Sequence, residues 1–245
     1  MKEQIPSKTL IEGQVEDFLN EELKKCDFSS FRSQGYQIDS RDPSTNVNIL
    51  DDEVRVSVNM DLSAEKAGKT SRKTSHKASI KSDFGKFYDL AKEIYDKEKS
   101  GAFLELYTQD VLYNYAPVTG SEISCSPLVW NAQEVSDDLK KAISSNIQAI
   151  KIDNNNYQLR EDKNKYFIVD IKSNENVRFL YDENWPTRIE IWPAEGSLLI
   201  AEPVGLEQGL GILGFCYIPY HFVYDIYHPV LIQIYNEKEI FFSFQ

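Results

Sequence analysis

The 245-residue sequence predicts an α+β fold: mixed or antiparallel sheets, three or four helices and a β-rich C-terminal part. Three observations carry that expectation. The stretch 209–235, GLGILGFCYIPYHFVYDIYHPVLIQIY, is apolar, yet Pro219 and Pro229 interrupt it and His221, Asp225 and His228 sit among its rings. Such punctuation suits two or three buried strands and not a membrane span. Apolar stripes at helical spacing are confined to the first 150 residues. The 14 Tyr and 13 Phe favour strands and large buried rings.

The elements follow in order. Residues 9–25 place Leu10, Ile11, Val15, Phe18, Leu19 and Leu23 at helical spacing, with Ser7 or Thr9 available as a cap. Gly35 and Asp42-Pro43 mark turns. Residues 47–50 and 54–62 alternate apolar and polar around Asp51-Asp52-Glu53, a hairpin signature. Residues 63–81 then turn basic and Ser/Thr-rich. Lys66, Lys69, Arg72, Lys73, Lys77 and Lys81 stand against Glu65 alone, a local balance of +5 that leaves −17 for the rest of the chain. Two edge strands joined by a long exposed loop are expected here.

Asp83 opens a second helix over 84–99, striped by Phe87, Tyr88, Ala91, Ile94 and Tyr95 and closed by Gly101. A shorter helix is expected over 103–113, and an irregular loop over 114–127, where Pro117, Gly120 and Pro127 fall. Asn131 with Glu134 makes a capping-box-like start for a helix ending near Ile150, with Val135, Leu139, Ile143 and Ile147 inward. Beyond it the chain is short strands and turns. Asn154-Asn155-Asn156 is a turn, and 166–171, 177–181, 188–191 and 198–201 are strands. These elements suggest an α/β subdomain over 1–115 that carries the basic hairpin loop. An α+β subdomain over 116–245 would hold the buried β-rich C-terminus. Both ends look cut, since EIFFSFQ stops inside an apolar run, so a fragment of a longer chain is expected.

Bulk properties narrow the function classes. A net charge of −12 opposes nucleic acid and anionic lipid headgroups. No signal peptide, uninterrupted 18-residue apolar run or N-x-S/T sequon is present. Cys26, Cys125 and Cys216 are too few for a disulfide scaffold and lack zinc-ribbon spacing. They could be reduced buried thiols, or one disulfide plus a cysteine whose partner lies elsewhere.

Three blocks carry a resemblance: Cys125-Ser126-Pro127-Leu128-Val129-Trp130, Asn184-Trp185-Pro186-Thr187-Arg188-Ile189-Glu190, and the run 211–235. With them the chain resembles the membrane-anchored surface proteins of ultra-small, DPANN-type archaea. The likeness spans most of 10–245, and ILGFCYIPYHFVYDIYHPVLIQIY is its most specific part. It implies an external region behind an N-terminal anchor that this segment lacks, on the extracellular face of the cell membrane. It implies location and architecture, not an activity. It also implies a Cys125–Cys216 disulfide, with Cys26 paired to a cysteine nearer the anchor.

Candidate chemistry is sparse. Cys216, His221 and His228 could in principle ligate a metal, but spacings of five and seven along a strand do not converge and no fourth ligand is evident. Structural core residues are the expectation. Asp51-Asp52, Glu21-Glu22, Asp137-Asp138 and Glu237 with Glu239 suit turns and helix surfaces, because adjacency does not place two carboxyls across a cleft. Gly205, Gly209, Gly211 and Gly214 lack the Lys-Ser/Thr of a phosphate loop. No catalytic residue, metal site or cofactor is expected.

The basic segment is the one surface element that stands out. Lys66, Lys69, Arg72, Lys73 and Lys77 either discourage edge pairing or contact an anionic partner: a protein, a cell-surface polymer, lipid, or another acidic copy of the chain. It lacks aromatics for base stacking, so nucleic acid is not expected. The leading expectation is a non-enzymatic extracellular module acting in adhesion or assembly. The alternatives are an envelope-polymer hydrolase, with dispersed carboxylates beside Trp130, Trp185 or Trp192, and an intracellular scaffold.

Overall fold

A computed structural model describes residues 5–153, 166–204, 216–237 and 240–244. The expected Asn154–Asn156 turn, the glycine-rich connection from Gly205 to Gly214 and the Glu239 carboxylate lie outside these residues. The fold is α+β: the described residues form four long helices, many antiparallel strands in several sheets and a β-rich C-terminal part. The chain divides into two compact units, Met1–Leu90 and Ala91–Gln245.

The first unit is a helix-edged sheet. Helix α1 (Lys8–Lys24) starts at Ser7, whose Oγ accepts the Leu10 N–H at 3.1 Å. A short α2 (Ser29–Ser33) leads into β1 (Gln37–Ser40), β2 (Ser44–Ile49), β3 (Glu53–Lys66) and β4 (Lys69–Lys81). The 14-residue β3 is the spine. On one side it pairs with β2 and then β1, and on the other with β4, all antiparallel. The β2–β3 hairpin turns at Asp51-Asp52, as the alternation predicts.

Alternation packs the sheet on one face. Val47 and Ile49 of β2 are buried and lie opposite Val56 and Val54 of β3. Phe87 and Leu90, on helix α3 (Phe84–Gly101), are buried as well. Gly85 is required at the start of α3, because a Cβ there would collide with the Leu50 carbonyl.

Helix α1 seals the outer edge of β2 with polar side chains. Glu12 Oε1 accepts from Ile49 N, Glu16 Oε1 from Val47 N, both at 2.8 Å, and Asn20 Oδ1 accepts from Thr45 N at 2.9 Å. Four helical residues rise about 6 Å and two strand residues about 6.6 Å, so acceptors at i, i+4, i+8 match edge amides at i, i+2, i+4. Because these groups occupy the face toward the sheet, no α1 residue is fully buried, and Leu10 and Phe18 stay exposed.

The second unit comprises the end of α3, α4 (Phe103–Tyr115), α5 (Ala132–Asn146) and strands β5 to β15. Asn131 caps α5, its Oδ1 accepting from Gln133 N and Glu134 N, and Leu139, Ile143 and Ile147 are buried as the stripe predicts. A parallel pair, β7 (Ile150–Asp153) with β8 (Phe167–Lys172), lies beside a three-stranded sheet. That sheet runs β15 (Ile240–Phe244), β14 (Leu231–Tyr235), β9 (Asn176–Leu180). Their inner residues Ile152, Val169, Val177, Phe179, Ile232 and Ile234 are almost fully buried.

Three ribbons complete the unit: β5 (Thr119–Glu122) with β12 (Ile218–His221), β6 (Leu128–Asn131) with β11 (Leu198–Ala201), and β10 (Arg188–Trp192) with β13 (Val223–Tyr227). Val135, Ile191, Leu199 and Phe222 form a core cluster, with Trp130 and Tyr220 packed against it. The described part of the apolar C-terminal stretch, 216–235, therefore forms strand in three pieces: β12, β13 and β14. The segment expected as an irregular loop over 114–127 contains β5. Gly120 makes this strand possible, because it lies directly beneath the Tyr220 ring where a Cβ would collide.

Candidate interaction surface

The basic segment, expected as two edge strands joined by a long exposed loop, is strand nearly throughout. Only Ala67 and Gly68 turn between β3 and β4, with φ of 50° and 76°, the paired positive values of a type I′ hairpin. Lys and Ser have weak strand preference, so the sequence alone suggests a loop; pairing with the apolar β3 overrides it.

Strand geometry sorts the charges. On β4, Lys69, Lys73, Lys77 and Lys81 alternate with Ser71, Ser75 and Ser79, and all seven occupy odd positions that share one face of the sheet. Successive lysines are about 13 Å apart along the strand. None of the four has an ion-pair partner among the described residues, and β4 is exposed almost throughout. Arg72 projects from the opposite face, where its guanidinium makes a two-pronged pair with Asp61 and holds that carboxyl below the usual range.

A β-bulge in β3 completes the sorting. The register with β4 steps from Asn59↔Ser75 to Leu62↔Lys73, one extra residue on β3. Beyond the bulge, Leu62, Ala64 and Lys66 share the lysine face, while Asp61 and Glu65 fall on the Arg72 face. Lys66 lies opposite Lys69 with its ammonium 4.5 Å from the Tyr36 ring centroid. Between the strands a shallow depression of about 310 Å³ is lined by Arg55, Ser57, Lys77 and Ser79. Arg55 is tied to Glu53, Nε to Oε1 at 2.6 Å.

Of the residues singled out from sequence, the fold thus brings Lys66, Lys69, Lys73 and Lys77 to one face and turns Arg72 away. Lys81 belongs with them. Its signal was the four-residue spacing, legible only once the segment is taken as a strand.

No family model, curated protein or solved structure matches this chain.

Most of the remaining candidates have structural partners. Cys125 and Cys216 form a disulfide, Cα–Cα 5.0 Å, and Cys26 is free and exposed. Cys216 is thus no thiolate ligand. His221 is exposed, and His228 Nε2 is 3.1 Å from Thr108 Oγ1, so the two histidines do not share a site with Cys216. Burial holds the His228 imidazole below its ordinary pKa. Among the described residues no His/Cys/Asp/Glu group could hold a metal. Glu21 and Glu22 pair with Lys24 and Lys25, and Asp137 and Asp138 with Lys140 and Lys141. Trp130 packs between Tyr220 and Phe222, Trp185 stands edge-on to Tyr181, and Trp192 is exposed.

One titratable pair falls outside all sequence expectations. Glu98 near the end of α3 and Glu105 in the first turn of α4 share a hydrogen bond, and Glu98 Oε2 also accepts from Leu104 N at 3.0 Å. Burial, then the Glu105 carboxyl, push the Glu98 pKa up to about 8.

Proposed function

We propose that this chain is a non-enzymatic interaction domain, displayed outside the cell on an archaeal membrane-anchored surface protein, that engages an anionic partner through the lysine face of β4. One observation carries the reading: four lysines with no ion-pair partner among the described residues lie on one face of an exposed strand, while the neighbouring arginines are paired with carboxylates. Edge protection alone requires a lysine or two on either face. A one-sided array concentrates positive potential where a polyanion can lie along it. The Cys125–Cys216 bridge fits an oxidising setting, and the resemblance supplies the cell surface.

The charge distribution agrees. Residues 1–90 hold 14 basic and 16 acidic side chains, a net −2, whereas residues 91–245 hold 13 and 23, a net −10. The test compares the full chain with the quadruple variant Lys69→Gln, Lys73→Gln, Lys77→Gln, Lys81→Gln for binding to poly-L-glutamate and hyaluronate. The variant should bind at least tenfold more weakly, and wild-type binding should weaken between 50 and 300 mM salt, concentrations set by screening at about 10 Å in 0.1 M salt. Equal binding by variant and wild type overturns the reading.

A further inference from the structure

The two long edges of the first unit's sheet are treated differently. Along β2, Glu12, Glu16 and Asn20 of α1 satisfy the outward amides of Ile49, Val47 and Thr45. Along β4, a strand of thirteen residues pairs with β3 only, and among the described residues no other strand or side chain bonds the β4 backbone. A bare, long edge is a template for another strand.

We propose that the outer edge of β4 is a strand-addition site for an extended acidic peptide. The peptide lies antiparallel to β4, exchanging backbone hydrogen bonds with it, and its carboxylates on one face meet Lys69, Lys73, Lys77 and Lys81. This deepens the anionic-partner reading and rests on it.

Several features fit this occupant. An added strand lies about 4.8 Å from β4, within reach of lysine side chains that project from the same face. The intervening Ser71, Ser75 and Ser79 are small, so they leave room for the peptide's side chains. On the other face Ala78 and the 67% exposed Ile80 offer an apolar contact to the peptide's alternate residues. The lysines then act as a selector: a cationic strand is repelled, including β4 of a second copy, and an acidic one is admitted. A polysaccharide could satisfy the charge but not the regularly spaced backbone donors and acceptors.

The test uses the full chain and a synthetic twelve-residue peptide of alternating Glu and Thr. A control peptide has the same sequence with alternate amides N-methylated, which keeps the charge and blocks pairing. Amide hydrogen exchange is followed across β4, and affinity is measured for both peptides. Strand addition slows exchange at every second β4 amide at least tenfold and makes the N-methylated peptide bind at least tenfold more weakly. Equal binding of both peptides without β4 protection overturns strand addition while leaving the charge reading standing. Unchanged affinity of the Glu-Thr peptide for the quadruple Lys→Gln variant overturns the charge reading instead.

Discussion

At the residue scale, the Glu98–Glu105 pair makes the second unit sensitive to pH. Glu98 keeps its proton in the fold to about pH 8, against an ordinary carboxyl value of 4.5. A raised carboxyl pKa means that the folded state binds the proton more tightly. The contribution is complete below pH 4.5, and it is lost as pH rises through 8. His228 acts oppositely: its depressed pKa favours the neutral ring, so its contribution is present above pH 6.5 and declines as the medium is acidified. Urea unfolding at pH 7 and pH 9 should therefore show stability falling toward pH 9, and Glu105→Gln should flatten that fall by removing the second carboxylate. An unchanged slope in the variant would contradict the pairing. None of this was legible in the sequence. Glu98 and Glu105 sit on two successive helices, and nothing in the spacing reveals that the corner at Ala102, φ 50°, folds one carboxyl onto the other. The Asn131 cap, by contrast, was legible because capping is local.

At the element scale, α1 and β4 show where periodicity informs and where it misleads. The apolar spacing of α1 predicted its helix correctly but concealed the role of Glu12, Glu16 and Asn20, which look like a solvated face until β2 is set beside them. Glu16 serves Val47 N and also accepts from Asn46 Nδ2 at 3.2 Å. Glu16→Ala should cost about 1–3 kcal/mol in denaturant unfolding, since it leaves an edge amide unsatisfied. Glu16→Gln, which keeps an oxygen acceptor, should cost clearly less. Equal losses would mean that the helix, not the acceptor, holds the edge. On β4 the opposite error arises: polarity suggests a loop, yet the two-residue Ala67-Gly68 turn and the β3 ladder make it a strand.

At the scale of the whole molecule, the units Met1–Leu90 and Ala91–Gln245 each combine helices with sheets. What composition could not convey is how the described residues divide into six small sheets and ribbons, because pairings such as β5 with β12 join residues about 100 apart. The Cys125–Cys216 bridge closes a comparable span, 91 residues, within the second unit. The chain-entropy model assigns such a loop about 4–5 kcal/mol. Cys125→Ser with Cys216→Ser should destabilise that unit by an amount of this order, read from urea midpoints. Material isolated without reductant should titrate one reactive thiol, Cys26, in denaturant, and three would place the protein in a reducing environment.

The bulge between Asn59 and Leu62 has a consequence for how this surface could change over time. The extra residue is what keeps Leu62, Ala64 and Lys66 on the lysine face and Asp61 and Glu65 off it: paired with β4 by plain alternation and no bulge, the same residues would exchange faces and the two carboxylates would neutralise the lysines. Loss of one codon at the bulge leaves the flanking pairs, Asn59 with Ser75 and Leu62 with Lys73, and so the charge pattern, unchanged.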